Sequence, residues 1–108
     1  MVLPVLAAAI ACAAPTLPLP PPAIPAISTA GLPAGKVKLS SMQGAEPNAL
    51  VVTYNRNPGL PLDQRVGGAQ ADGSGSWDAV ISASTGDVVD VTEEIGTTRS
   101  PPTSVVIP

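Results

Sequence analysis

The chain has 108 residues, with five basic and eight acidic side chains, no histidine and a single cysteine, Cys12. This inventory excludes a zinc site built on histidine and cysteine, a Ser-His-Asp triad, a Cys-His pair and an internal disulfide. Because the basic residues are scattered among acids and Tyr54 and Trp77 are the only aromatic residues, we expect no nucleic-acid partner, and we expect no cofactor or metal.

The charges divide the chain into two unlike parts. Residues 1–35 carry no charged side chain, whereas all thirteen charges lie between Lys36 and Pro108. We therefore expect an export signal at residues 1–14, a proline-rich linker at 15–35 and one folded domain at 36–108. A domain this small has a stability on the order of 3–5 kcal/mol when no disulfide reinforces it.

The first fourteen residues, MVLPVLAAAIACAA, form an uninterrupted uncharged and mostly apolar run. The run is too short to cross a hydrocarbon core of about 30 Å, but it has the length of the apolar region of a signal peptide. Ala9-Ile10-Ala11 and Ala11-Cys12-Ala13 both fit the small-x-small pattern that a signal peptidase cleaves. These features predict an exported protein.

The sequence Ala9-Ile10-Ala11-Cys12 also resembles the lipobox of bacterial lipoproteins, whose cysteine is diacylated and becomes the new N-terminus. Ala9 stands where that motif usually has leucine, and the basic region that normally precedes the apolar run is missing. A start codon upstream of Met1 would supply that basic region. Lipidation of Cys12 would anchor the protein to a membrane without a spanning segment, whereas ordinary cleavage would release it as an extracellular or periplasmic protein.

Six prolines occur in the eleven residues 15–25, PTLPLPPPAIP. Each proline fixes its own φ angle and pushes the preceding residue toward an extended conformation. The segment therefore predicts a disordered, semi-rigid polyproline II spacer with a reach on the order of 30 Å. The alternative is a ligand for an SH3-like groove, which the absence of flanking Lys or Arg disfavours.

After Gly35 the composition changes to short runs of Val, Ile and Thr bounded by Gly, Pro, Asn and Asp, which predicts an all-β domain. The expected strands are 36–41, 49–55, 66–71, 76–83, 88–94 and 104–107. In the second strand Leu50, Val51 and Val52 place apolar side chains on both faces. Such a strand is either covered on two sides or lies near a partner.

Strands 66–71 and 76–83 are expected to form a hairpin, since the residues between them include Asp72-Gly73-Ser74-Gly75. In the second strand of this pair Trp77, Ala79 and Ile81 alternate with the other side chains. The alternation places Trp77 at the centre of the hydrophobic core.

Four runs in this region resemble a bacterial Ig-like domain: GAEPNALVVTYN (44–55), QADGSGSWDAVIS (70–82), TGDVVDVTEE (85–94) and TSVVIP (103–108). The resemblance implies an Ig-like antiparallel β-sandwich of about seven strands. Such domains serve as spacers or adhesion modules in surface and secreted bacterial proteins, and the resemblance brings no catalytic residues. Fibronectin type III and carboxypeptidase-regulatory-like sandwiches have similar turn spacing.

Acidic side chains are the remaining candidates for catalysis. Asp87, Asp90, Glu93 and Glu94 lie close together in sequence and are candidates for a glycosidase-like acid and base. Because Asp90 alternates with apolar neighbours, we expect these carboxylates to face solvent instead. The loop at residues 72–76 has too few carboxylates for a calcium site, so we interpret it as a turn.

These observations predict a non-catalytic interaction or structural module, exported to the cell envelope and attached there by its spacer and a lipid on Cys12. The expected partner is a protein or an envelope polysaccharide. The alternative function is a carbohydrate-binding or accessory module of a secreted enzyme system. That alternative requires an exposed aromatic ring, for which Trp77 is the candidate.

Overall fold

A computed structural model describes residues 18–108, so the predicted export signal and Cys12 lie outside the described residues. The described part is almost entirely β, as the sequence predicts. The strands are β1 Ala26–Ser28, β2 Lys36–Ser41, β3 Leu50–Asn55, β4 Val66–Gln70, β5 Trp77–Ser82, β6 Val88–Ile95, β7 Thr98–Arg99 and β8 Thr103–Val106. A short helix, α1 (Leu62–Arg65), lies between β3 and β4 and packs against β3, β4 and β5. No helix among residues 18–108 has the length and apolar character that crossing a bilayer requires.

The strands form two antiparallel sheets that pack as a sandwich, which confirms the predicted all-β antiparallel β-sandwich. The three-stranded sheet has the order β1-β2-β5, and the five-stranded sheet has the order β4-β3-β6 with β7 and β8 both paired to the free side of β6. Between β7 and β8 the chain passes Pro101 and Pro102, which have no N–H group to donate to the ladder. Strands β7 and β8 therefore act as two halves of one edge.

The predicted hairpin between residues 66–71 and 76–83 is wrong. Strand β4 pairs with β3 and β5 pairs with β2, so the intervening turn carries the chain from one sheet to the other. That turn is held by the loop before β3: Asn48 N–H donates to Asp72 O at 2.9 Å, and Ala45 N–H donates to Gly75 O at 3.0 Å. The turn residues give a sharp reversal in either arrangement, so local sequence does not distinguish a hairpin from a crossing between sheets.

The core consists of buried apolar side chains from the inward faces of both sheets. They are Val37, Leu39, Val51, Ala71, Trp77, Ala79, Ile81, Ala83, Val89, Val91, Val105 and Ile107. Trp77 is 5% exposed and is the largest of them. Its indole Nε1 has no hydrogen-bond partner among the described residues, so the ring is held by packing alone.

The folded part begins earlier than the predicted domain boundary. Strand β1, within the expected linker, pairs with β2, and both Pro22 and Pro25 are buried. Ala23 N–H donates to Gly44 O at 2.8 Å, and the hydroxyl of Thr103 donates to Pro22 O. The prolines cannot donate to a ladder, but their rings and carbonyl groups can cover the side of the sandwich between β1 and β8.

Candidate interaction surface

One face of the five-stranded sheet is turned away from the three-stranded sheet, and no other helix or strand within residues 18–108 covers it; we call it the outer face. Cross-strand register places its side chains in rows, including Val66–Tyr54–Asp90–Ser104 and Gln70–Leu50–Glu94–Arg99. The outer face carries four exposed large apolar or aromatic side chains: Leu50 (44% exposed), Tyr54 (36%), Val66 (54%) and Val106 (63%). Several exposed large apolar side chains on one uncovered sheet face, with polar side chains between them, are typical of an interaction surface.

A groove of about 490 Å³ runs across the outer face. Its lining includes Val52, Tyr54, Val66, Thr92, Arg99 and Pro102. Gly68 lies opposite Val52 in the ladder, and a Cβ at Gly68 would collide with the carbonyl oxygen of Val51. The close backbone approach therefore requires glycine here, and the missing side chain leaves the Val52 side of the groove open.

Two ion pairs border this groove. Arg56 binds Asp90 with two hydrogen bonds, Nε to Oδ2 at 2.8 Å and Nη2 to Oδ1 at 2.7 Å, and Ser104 Oγ donates to Asp90 Oδ1 at 2.6 Å. The hydrogen bond from Arg56 is the main reason that the pKa of Asp90 is lowered. Arg99 pairs with Glu94 at 2.6 Å. Both arginines are largely exposed, so the pairs position side chains rather than stabilise the fold appreciably.

A third arginine lies beside Tyr54. Arg65 donates from Nε to Leu60 O at 2.8 Å and from Nη2 to Pro58 O at 3.0 Å, which holds α1 against the turn before it. Its Nη1 lies 3.5 Å from the hydroxyl oxygen of Tyr54. No carboxylate within residues 18–108 forms an ion pair with Arg65, and Asp63 lies in the same short helix.

The four acidic residues proposed as catalytic candidates do not form one site. Asp90 and Glu94 lie on the outer face, where arginines bind them, whereas Glu93 is buried on the inward side of β6 and Asp87 lies half-buried in the turn before β6. The described residues contain no group of three or more His, Cys, Asp or Glu side chains that could hold a metal ion.

The expectation that these acids face solvent is wrong for Glu93, which is 1% exposed. Glu93 shares the inward side of β6 with Val89 and Val91, and this two-residue spacing was a signal in the sequence. Its Oε1 accepts a hydrogen bond from Glu46 N–H at 2.8 Å. Desolvation is the main reason that the pKa of Glu93 is raised, and the hydrogen bond from Glu46 opposes it.

We expect Glu93→Gln to be more stable than the wild type at pH 7, with the difference shrinking as the pH falls to about 4. A carboxyl group whose folded-state pKa is raised stabilises the fold below its ordinary pKa, and this contribution is lost as the pH rises through the folded-state value. Glutamine keeps an oxygen that can accept from Glu46 N–H and carries no charge at any pH. Urea unfolding of both proteins at the two pH values measures the difference.

The pKa values of Asp72, Asp87 and Asp90 are lowered, so these three carboxylates stabilise the fold at neutral pH, opposite to Glu93. Their contribution to the free energy of unfolding is lost as the pH falls through their folded-state pKa values. Both proteins share this effect, so it cancels in the comparison. A Glu93→Gln protein that is less stable than the wild type by the same amount at both pH values would contradict the prediction, because the charge would then be irrelevant.

Asp72, and Asp87 among the four candidates, hold turns through hydrogen bonds to their carboxylates. Asp72 Oδ1 accepts from Ser74 Oγ at 2.7 Å, Ser74 N–H at 2.8 Å and Ser76 N–H at 3.0 Å, and these bonds lower its pKa, with that of the Ser74 hydroxyl the largest. Asp87 accepts from Asn55 Nδ2 at 3.0 Å and from Asn57 Nδ2 at 3.1 Å. The polar groups at residues 72–76 thus satisfy one another within the turn.

The carbohydrate-binding alternative requires an exposed aromatic ring, and the structure provides one at Tyr54 and not at Trp77. Trp77, its candidate contact, is buried, whereas Tyr54 lies exposed on the outer face. Sequence reasoning did not select Tyr54 or Arg99. The available signal was in β3, where Leu50, Val52 and Tyr54 alternate with inward residues and leave an apolar row facing out.

Comparison with protein-family models, with curated proteins and with solved structures finds no match.

Proposed function

We propose that this chain is a non-catalytic interaction module of the bacterial cell envelope, which binds a partner through the outer face. The observation that supports this most strongly is the set of exposed side chains Leu50, Tyr54 and Val66 on the outer face, of which Tyr54 and Val66 line the groove. Burying such side chains against a partner removes apolar surface from water at roughly 25 cal/mol per Å². The ion pairs at the border provide polar contacts that orient the partner.

The other sheet provides the comparison. The exposed side of β2 carries Lys36, Lys38 and Ser40, and the adjacent strand contributes Asp78 and Val80. Along β2 and β5 that face is polar apart from Val80, whereas β1 adds the small side chain of Ala26 and the exposed Met42 follows the end of β2. Its exposed apolar side chains are thus fewer within the strands than those of the outer face. The contrast between the two faces supports a partner on the five-stranded sheet.

The attachment to the envelope is proposed from the sequence. The apolar run and the partial lipobox support export followed by lipidation of Cys12, and the residues after Cys12 up to the buried Pro22 provide a short spacer. In a bacterium that exports the chain, the mass of the mature N-terminus would show a diacylated Cys12. A chain that retains Met1, or one that begins unmodified at Ala14, would contradict the lipid anchor.

Retention of envelope components by the purified chain tests the binding function. We expect the full chain carrying Cys12→Ser, immobilised at micromolar concentration, to retain a component of envelope fractions. Val66→Ser should reduce retention roughly tenfold, since removing one well-packed apolar contact at the centre of an interface has an effect of this size.

Val80→Ser is the matched control, because Val80 has the same exposed fraction as Val66, 54%, on the opposite sheet. This variant should retain the component as well as the parent does. Failure of the parent to retain anything, or equal losses in the two variants, would contradict binding through the outer face.

A further inference from the structure

The groove on the outer face offers hydrogen-bond donors above an apolar floor. The hydroxyl of Tyr54 receives a long contact from Arg65, and its own proton has no acceptor among the described residues. Arg99 uses Nε and Nη2 to bind Glu94, which leaves Nη1 without a partner in residues 18–108. Both carboxylate oxygens of Asp90 are occupied by Arg56 and Ser104, and Glu94, which binds Arg99 through Oε2, does not line the groove. A complementary ligand therefore brings apolar surface and carbonyl acceptors, and it has no need to supply N–H donors.

An extended proline-rich peptide has this combination of properties. Proline has no backbone N–H, and a polyproline II segment forms no internal hydrogen bonds, so its carbonyl groups remain free to accept. Peptides of this kind bind grooves lined by aromatic side chains, and they lose little conformational entropy because they are already extended. In this groove Tyr54 and Pro102 supply rigid rings, and Val52 supplies the apolar floor.

The chain itself contains such a segment at residues 15–21, PTLPLPP. Its described part contains Pro18, Pro20 and Pro21, all of which are exposed, whereas Pro22 is buried against the sandwich. The segment carries no charge, so it meets no repulsion from either sign of charge at the groove. None of residues 18–21 lines the groove of its own molecule.

We propose that the groove binds the proline-rich segment, residues 15–21, of a second copy of this chain. Pro22 is fixed by its contact with Thr103, and Pro18, Pro20 and Pro21 before it are exposed. Each molecule then offers a groove and a segment at different places, so the contact is heterologous and joins copies head to tail. The proposal rests on the proposed function, because it names the partner of the same outer face.

The test uses the isotope-labelled full chain carrying Cys12→Ser and the synthetic peptide PTLPLPP. Amide chemical shifts are followed as peptide is added to about 1 mM, a concentration that half-fills a site of millimolar affinity. We expect shift changes at Val52, Tyr54, Thr92 and Arg99. Raising the concentration of the chain alone over the same range should move the same signals in the same direction.

Two matched comparisons accompany the titration. The peptide PTLALAA, with the same length but alanine at positions 18, 20 and 21, should leave these signals nearly unchanged. Tyr54→Ala should weaken binding of PTLPLPP at least roughly tenfold, whereas Val106→Ala, on the outer face but outside the groove lining, should change it less than about twofold.

The following results would contradict binding of the proline-rich segment of a second copy. An absence of shift changes, or changes centred on another surface, would overturn it. If Pro18→Ala in the chain alters the groove signals equally at all protein concentrations, the segment is bound within its own molecule and the second copy is excluded. If envelope components are retained through the outer face while PTLPLPP does not bind, only this inference fails; if neither binds, the proposed function fails as well.

Discussion

Replacing Trp77 with alanine is expected to lower the free energy of unfolding by about 3–5 kcal/mol. Trp77 is 5% exposed and lies in a core to which both sheets contribute. A sandwich of this size has a total stability on the order of 3–5 kcal/mol, so a large fraction of the variant molecules should be unfolded at 25 °C. Far-ultraviolet circular dichroism during urea unfolding measures the loss without relying on tryptophan fluorescence.

Trp77→Phe serves as the control for this substitution. It keeps an aromatic ring in the core and loses no hydrogen bond, because the indole Nε1 has no partner among the described residues. We expect Trp77→Phe to remain folded and to be less destabilised than Trp77→Ala. A loss below about 1 kcal/mol for Trp77→Ala would show that the sandwich is not built around this ring.

Gly75→Ala is expected to destabilise the fold by about 2–4 kcal/mol. Gly75 has a φ of 86°, which residues other than glycine rarely adopt, and an added Cβ would collide with the carbonyl oxygen of Ala45. Relief of this collision requires a backbone shift in the turn that connects the two sheets. That shift would break the hydrogen bond from Ala45 N–H to Gly75 O, which measures 3.0 Å.

Gly86→Ala separates the two causes. Gly86 has a similar φ of 90°, but nothing lies within 4 Å of an added Cβ. Its substitution should therefore cost only the backbone term, about 1–2 kcal/mol. Urea unfolding of both variants measures the difference, and equal losses would mean that the contact between residues 45 and 75 does not hold the two sheets together.

Strand positions in the domain followed from runs of Val, Ile and Thr between turn residues and, in several strands, from side-chain alternation. The sequence predicted strands at 49–55 and 88–94, and the structure has β3 at Leu50–Asn55 and β6 at Val88–Ile95. The prediction succeeds because each strand of a sandwich buries one face, so apolar and polar residues tend to alternate along the sequence. The inward positions of Val89 and Val91 followed from the same alternation.

Burial of an acid was harder to predict from the same pattern. Glu93 occupies an inward position of β6, although a charged carboxylate is rarely buried and the sequence analysis therefore expected Glu93 to face solvent. The hydrogen bond that it accepts comes from Glu46, forty-seven residues away in the chain. No local pattern indicates that such a donor will be present.

The candidate surface shows the same division. The sequence analysis expected apolar side chains on both faces of the strand at 49–55 and allowed for a nearby partner, but it did not single out the outward set Leu50, Val52 and Tyr54. It did not indicate that Val66 and Arg99 join them, because these contacts depend on the pairing of β3 with β4 and of β6 with β7. The groove is produced by cross-strand neighbours, which sequence spacing does not reveal.

By itself, the sequence determined the all-β class, the approximate strand positions and the chemistry that this chain lacks, since periodicity and residue inventory are local properties. Only the tertiary structure decided which strands pair, that residues 22–28 join the fold, and that an apolar face stays uncovered. The physical reason is that these features depend on hydrogen bonds and packing between residues far apart in the chain. A turn such as 72–75 can connect the two strands of a hairpin or carry the chain from one sheet to the other. Which of these it does depends on the strands with which β4 and β5 pair.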